Sequence, residues 1–257
     1  MIEFRLLGPL EVRRCGGSPS LGGLKQQTLL AYLCLHQNSQ VSIDGLTEAI
    51  WGERAPASAR KNVQLYVSRL RQLIGREHPT PRLVTTGGGY MLAAEPGAVD
   101  LDRCHGLWRL GRQHLQEGAD ERAGELFNEA IGLWRGPSLT GLAQTVVMQA
   151  EAARLEQLRI TLLADYFEAR LNVGQHADVI PDLVRLVALH PHQEELRRHL
   201  MLALWRSGQR HEALATYRQG YHLMVNELGI EPNRRLRLLH RAVLADGAEP
   251  ALRPLAT

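Results

Sequence analysis

The stretch SARKNVQLYVSRLRQLIG, residues 58–75, and the segment PRLVTTGGGYMLAA at 81–94 decide how this chain is read. At helical spacing Val63, Val67, Leu70 and Ile74 form one stripe, with Tyr66 and Leu73 at its edge, and that stripe faces a core. The opposite face carries Lys61, Leu65, Ser68 and Gln72. Asn62 and Arg69 flank it on one side, Gln64 and Arg71 on the other. These side chains suit a nucleic-acid groove. Arginine bonds guanine O6 and N7 together, asparagine or glutamine does the same with adenine, and serine reaches phosphate. Leu65 has no burial reason in a polar face unless something covers it, and a thymine methyl would do so. Against this, single exposed apolar residues are common. Ser58 is placed to cap the helix after Pro56, and Gly75 to end it.

Residues 81–94 read as two short strands around a glycine tip. Arg82, Thr85, Thr86, Gly87 and Gly88 are the candidate contacts there. Glycines let backbone amides approach phosphates closely, and threonine hydroxyls join them. Tyr90 is expected to pack back on the core. The glycines do not form a nucleotide loop, because neither GxxxxGK[ST] nor a strand-bound GxGxxG is present.

Upstream, Ile2–Leu6 and Leu10–Arg13 alternate apolar and polar around Gly8-Pro9, which predicts two strands. LKQQTLLAYLCLH predicts a helix carrying Leu29, Leu30 and Leu33. Val41-Ser42 reads as a short strand, followed by a helix capped by Ser42 or Asp44 and ending near Trp51-Gly52. Strands, three helices and a terminal hairpin, in that order, make a winged helix-turn-helix (α+β). Pro96-Gly97 marks its boundary, which puts a DNA-binding domain at 1–96, a helical domain at 97–245 and a tail at 246–257.

In the helical part, Gly174-Gln175 and Gly208-Gln209 stand 34 residues apart, each before a helix. That is the tetratricopeptide (TPR) period. Gly118 has the same local form out of register, and Pro191 and Pro232 are read as helix stops. The fold class is therefore mainly α, a winged helix followed by an all-α TPR-like repeat. An irregular helical bundle is the alternative.

Bulk properties fit. The 257 residues suffice for two domains, and 44% hydrophobic with 22% charged is ordinary for globular protein. Net charge is +3, but Arg54, Arg60, Lys61, Arg69, Arg71, Arg76 and Arg82 face a single acid, Glu77, between residues 54 and 82. That excess suits an electrostatic footprint on DNA, and a solvated helix face is its bland counterpart. The N-terminus lacks the layout of a secretion signal and no apolar run spans a bilayer, so a cytoplasmic, nucleoid-associated protein with no membrane partner is expected. Cys15, Cys34 and Cys104 form no CxxC pair, so neither disulfides nor zinc are suggested, and Cys34 reads as a core residue. No metal and no cofactor is expected.

LYVSRLRQLIG followed by LVTTGGGY resembles the OmpR/PhoB-type winged helix. EAIGLWRGPSL, AEAARLEQLRI, LMLALWRSGQRHEALATY and VNELGIEPNRRLRLLH resemble the bacterial transcriptional activation domain. Together they resemble the Streptomyces antibiotic regulatory protein (SARP) family from about residue 2 to 245. The resemblance implies transcriptional activation of a secondary-metabolite (antibiotic) gene cluster in an actinomycete. It implies a side-by-side homodimer on direct repeats of double-stranded promoter DNA near the −35 element. RNA polymerase holoenzyme, through sigma factor and core subunits, is the implied partner. Positions matching contact sites of such winged helices are Asn62, Gln64, Leu65, Ser68, Arg69 and Arg71. One departure is Thr86, where such wings often carry an arginine; Arg82 is the nearby substitute. Neither an ATPase module nor a receiver is expected, and the chain reads as a small member.

An enzyme is the first rival. Its histidines are scattered, His190 and His192 read as loop residues, and HExxH and GxSxG are absent. A scaffold that does not touch DNA is the second. It has no need of Lys61, Arg69 and Arg71 around one groove-sized face.

Overall fold

The structure is a computed structural model, and it describes residues 2–14, 17, 19–75 and 81–245. Cys15, Arg76, Glu77 and the expected tail at 246–257 lie outside the described residues. The chain divides into two compact units, Met1–Leu110 with Asn128–Ile160, and Gly111–Phe127 with Thr161–Thr257.

The first unit begins with the antiparallel pair β1 (Ile2–Arg5) and β2 (Glu11–Arg14), with Phe4 opposite Val12. Alternation sends Ile2 and Phe4 into the core, as expected. There follow α1 (Leu24–Leu35), β3 (Val41–Ser42), α2 (Ile43–Trp51), a 3-10 turn (Gly52–Arg54) and α3 (Ala59–Ile74). The hairpin β4 (Arg82–Thr86) and β5 (Gly89–Ala93) completes a three-stranded sheet in the order β3-β5-β4. The three helices pack on one another, α3 against β4 and α1 against β5. Leu29, Leu30, Leu33, Leu46, Val63, Leu70 and Leu92 are fully buried between them. This is the winged helix expected from the sequence. Of the two candidate caps for α2, Ser42 serves, its hydroxyl accepting from Gly45 N–H at 3.0 Å.

The unit does not stop at the hairpin. Phe4 N–H donates to the Ala98 carbonyl at 2.8 Å. Where β1 ends, the Leu6 and Leu7 N–H groups are buried without a strand partner, and buried donors need an acceptor. The Asp100 carboxylate supplies it, at 2.7 and 3.0 Å, from the first residue of α4 (Asp100–Glu117). Burial nonetheless raises the Asp100 pKa, outweighing those bonds and the nearby Arg135 charge. Arg135 N–H reaches the Leu7 carbonyl at 2.7 Å, and the Thr145 hydroxyl donates to the Ala49 carbonyl at 2.9 Å.

The second unit holds the C-terminal part of α4, the start of α5 (Asp120–Gly132) and the C-terminal part of α6 (Val146–Asn172). It continues with α7 (His176–Leu189), α8 (Glu194–Arg206), α9 (Arg210–Leu223) and α10 (Arg234–Ala245). The three glycines singled out above share one closure. Gly118, Gly174 and Gly208 sit at φ +83°, +84° and +78°. The next residue's N–H bonds five residues back: Ala119 to His114, Gln175 to Arg170, Gln209 to Leu204, at 2.9, 3.0 and 2.8 Å. This is the Schellman closure, which needs a left-handed residue and so favours glycine. Pro191 follows α7 as read, but Pro232 ends nothing. α9 runs into a π turn (Met224–Leu228) that Gly229 closes at φ +66°. Asn233 then caps α10 by accepting from Leu236 N–H at 2.9 Å.

α8 is buried from Leu196 to Leu204, charges included. Arg197 donates to the Thr216 and Pro191 carbonyls and passes through space that Gly220 leaves by having no side chain. Arg198 pairs with Glu195 at 2.8 Å and donates to His199 Nε2 at 2.8 Å. Among the described residues, no helix is long and apolar enough to cross a membrane.

Candidate nucleic-acid interface

The buried stripe and the polar face predicted for α3 are both present in three dimensions. Val63, Val67, Leu70 and Ile74 are buried, and Tyr66 and Leu73 are half-buried at the edge. Tyr66 stacks with Trp51 at the end of α2, ring centroids 6.3 Å apart, which sets α3 against α2. Lys61, Gln64, Leu65, Ser68, Arg69, Arg71 and Gln72 are exposed, and Asn62 is half-buried. Leu65 is 45% exposed in the middle of this polar face. Lys61, Gln64, Ser68, Arg69 and Gln72 are bonded to no other described side chain or backbone group, so their donors and acceptors are available to a ligand.

Two members of the face are already engaged. Asn62 Nδ2 donates to the Ser58 hydroxyl at 3.1 Å. Ser58 occupies the N-cap position, yet its side chain caps no backbone N–H, contrary to expectation. Its backbone, at φ −86° and ψ 4°, is not the extended conformation from which a cap reaches back. Arg71 Nε donates to the Leu83 carbonyl at 2.9 Å, its Nη2 donates to the Thr85 hydroxyl at 2.7 Å, and its guanidinium lies 5.9 Å from the Tyr90 ring centre. Arg71 thus ties the helix to the hairpin.

At the hairpin, Arg82, Thr85, Gly87 and Gly88 are exposed. Tyr90 is buried, as expected. The two threonines differ. Thr85 is exposed and its hydroxyl accepts from Arg71, whereas Thr86 Oγ1 is enclosed and has no hydrogen-bond partner among the described residues. Gly89 is buried for a reason unrelated to phosphate. A side chain there would collide with the Val41 carbonyl and the Ser42 backbone, so the β3–β5 pairing itself demands glycine. Ser68, Arg71, Gln72, Gly75, Arg82 and Leu83 line a shallow cleft of about 770 Å³ between α3 and β4, which joins the helical face to the hairpin.

The sequence reading missed one charge. The Arg14 guanidinium, at the end of β2, lies 3.9 Å from where a Gly75 Cβ would be, beside the C-terminal end of α3. A positive charge is favoured there by the helix dipole. Two arginines closing an alternating strand were visible, but nothing local brings β2 to the end of α3.

The two described thiols offer no chemistry. Burial raises the Cys34 thiol well above its ordinary range and pushes Cys104 up to about 11, so both stay protonated and inert. His190 and His192 lie in the turn after α7, and His192 pairs with Glu227 at 3.2 Å.

Comparisons with known proteins agree with this geometry. Residues 99–244 match the family described as bacterial transcriptional activator domain, and residues 21–92 match transcriptional regulatory protein, C terminal. Regulatory protein DnrI of Streptomyces peucetius is 33% identical over 98% of this chain and 94% of its own length. Regulatory protein AfsR of Streptomyces griseus is 34% identical over 97% of this chain, but the chain spans only 25% of AfsR. A solved structure of Mycobacterium tuberculosis EmbR in complex with low affinity phosphopeptide matches with a TM-score of 0.92 at 31% identity, over 97% of this chain and 66% of that one. The chain belongs to the bacterial transcriptional activator domain family and, within it, to the SARP-type transcriptional regulators with an OmpR-type winged helix.

Proposed function

We propose that this chain is a cytoplasmic, nucleoid-associated transcriptional activator of a secondary-metabolite (antibiotic) gene cluster. It binds direct repeats near the −35 element as two protomers side by side. It recruits RNA polymerase holoenzyme by adding contacts to sigma factor and core subunits. About 1.4 kcal/mol of added contact is a tenfold change in occupancy, so a small surface suffices.

One observation carries the DNA-binding part: the exposed face of α3, where Lys61, Gln64, Leu65, Ser68, Arg69 and Gln72 stand unspent beside the hairpin. In this reading α3 enters the major groove and supplies specificity, with Arg69 reading a base and Lys61 and Asn62 near the phosphates. Arg82, Thr85, Gly87 and Gly88 form the wing on the backbone. Thr86 takes no part through its hydroxyl, which is enclosed. DnrI and AfsR, named as regulatory proteins of Streptomyces, support the regulatory role by likeness, and the antibiotic-cluster assignment rests on the SARP resemblance.

Gel shift and footprinting on the intergenic DNA beside its own gene test this. A protected pair of repeats in register with a −35 element is the expected result. No shift even at low salt sinks the DNA reading, and a single protected half-site sinks the side-by-side dimer.

The proposed functional domains are 1–96, 97–245 and 246–257, yet a 1–96 fragment is a poor reagent. It would lose Asp100, which satisfies the Leu6 and Leu7 amides, and the Arg135 and Thr145 contacts. Activation is better dissected with substitutions in the full chain.

A further inference from the structure

We infer that Arg71 and Thr85 act as one anchoring device: Arg71 aims and polarises the Thr85 hydroxyl so that it donates to a backbone phosphate under the wing. The inference rests on the DNA-binding reading above and assigns within it a role to two residues that a side-chain inventory would treat as separate contacts.

Geometry carries the argument. The Arg71 Nη2 donates to Thr85 Oγ1 at 2.7 Å, and a guanidinium has no acceptor, so the direction of that bond is fixed. The hydroxyl lone pair facing α3 is therefore occupied, and its proton must point elsewhere. Thr85 is exposed, and its proton is committed to no acceptor among the described residues. The cation behind it strengthens the hydroxyl as a donor, as hydrogen bonds in a chain polarise one another.

The second bond, from Arg71 Nε to the Leu83 carbonyl at 2.9 Å, fixes the guanidinium two residues earlier on β4. It leaves Arg71 little freedom to swing toward a phosphate itself. The neighbouring hydroxyl is no substitute, because Thr86 Oγ1 is enclosed. The wing has threonine where an arginine was expected, and in this device the cation comes from α3 instead.

The test uses the full-length chain and a duplex that the wild type enriches from a random-sequence pool. Affinity is measured for wild type, Arg69→Ala, Arg71→Ala, Thr85→Val, Thr85→Ser and the Arg71→Ala/Thr85→Val double variant, with ethylation interference mapped for each. Thr85→Val is expected to weaken binding about tenfold, the size of one hydrogen bond to a charged group. Arg71→Ala should do at least as much, and the double variant should lose no more than the weaker-binding single one. Thr85→Ser should bind like wild type. Interference at one phosphate should vanish in Thr85→Val and Arg71→Ala but persist in Arg69→Ala.

Thr85→Val binding like wild type overturns the inference, as do losses that multiply in the double variant. Either result makes Arg71 an independent contact or a purely structural residue. Thr85→Val and Thr85→Ser leave the Arg71–Leu83 bond in place, so they decide the matter even if Arg71→Ala fails to fold. A wild-type chain that enriches no duplex removes the DNA reading itself, a different result from a bound duplex indifferent to Thr85.

Discussion

Arg69 and Arg71 stand two residues apart on one helix and have the same charge, yet the fold gives them different work. Arg69 is exposed with no bonded partner among the described residues, so its planar fork is free to read a guanine. Arg71 is held by Leu83 and Thr85. Arg69→Ala should cost about 1–3 kcal/mol of binding and relax preference at one base position, as measured by affinity across single-base variants of the site. An equal loss on every variant would make Arg69 a phosphate contact instead. Leu65 belongs to the same scale: its exposure is a fact of the structure, and a thymine methyl is the covering we propose for it.

The hairpin shows how one glycine run serves different ends. Gly87 has open space around its Cβ position, Gly88 has Gln40 at 3.2 Å, and Gly89 meets the Val41 backbone. Gly89→Ala should therefore destabilise the first unit by about 3 kcal/mol or more, since the obstacle is backbone and cannot step aside. Gly87→Ala should leave the melting temperature unchanged. Thermal unfolding of the two variants checks both. Gly87→Arg would add a cation at the wing tip, where a Cβ meets open space. It should steepen the slope of log affinity against log salt by about 0.9 if the tip lies on phosphate.

Across the whole chain, stability rests on buried polar groups as well as apolar cores. Asp100→Ala leaves the Leu6 and Leu7 amides without their acceptor, and each orphaned buried donor costs about 1–3 kcal/mol. A loss of about 2 kcal/mol or more in denaturant unfolding is expected, and no loss would mean that water replaces the carboxylate. In the second unit His199 is 1% exposed, and burial holds its pKa well below 6.5, helped by Arg198 and Arg235. Glu168 and Glu195 line the same cleft but do not reverse that direction. The sign follows from linkage. As pH falls through about 6.5 the unfolded imidazole gains a proton and the folded one does not, so stability is full above that pH and declines below it. The melting temperature should fall between pH 7.5 and 5.5, and His199→Gln should flatten the decline. Some slope should remain, because burial also lowers His105 and His240.

The elements, the inward stripe of α3, the glycine-closed helical turns and the family were legible in the sequence. Each is set by residues two to five apart, or by phrases as long as NELGIEP. Periodicity and αL closure are local properties, and a local pattern is enough to state them. What the tertiary structure decided depends on residues distant in sequence. It brought Arg14 to the end of α3 and set Gly89 against Val41. It enclosed one threonine hydroxyl and left the other exposed, and it bound Arg71 to a strand twelve residues on. It also let the winged-helix unit reach past Pro96-Gly97 to Asp100 and Arg135, where composition marks a boundary but buried amides need acceptors that lie beyond it. A helical wheel says which side chains face outward; only the packed neighbours say which of them remain free to bind.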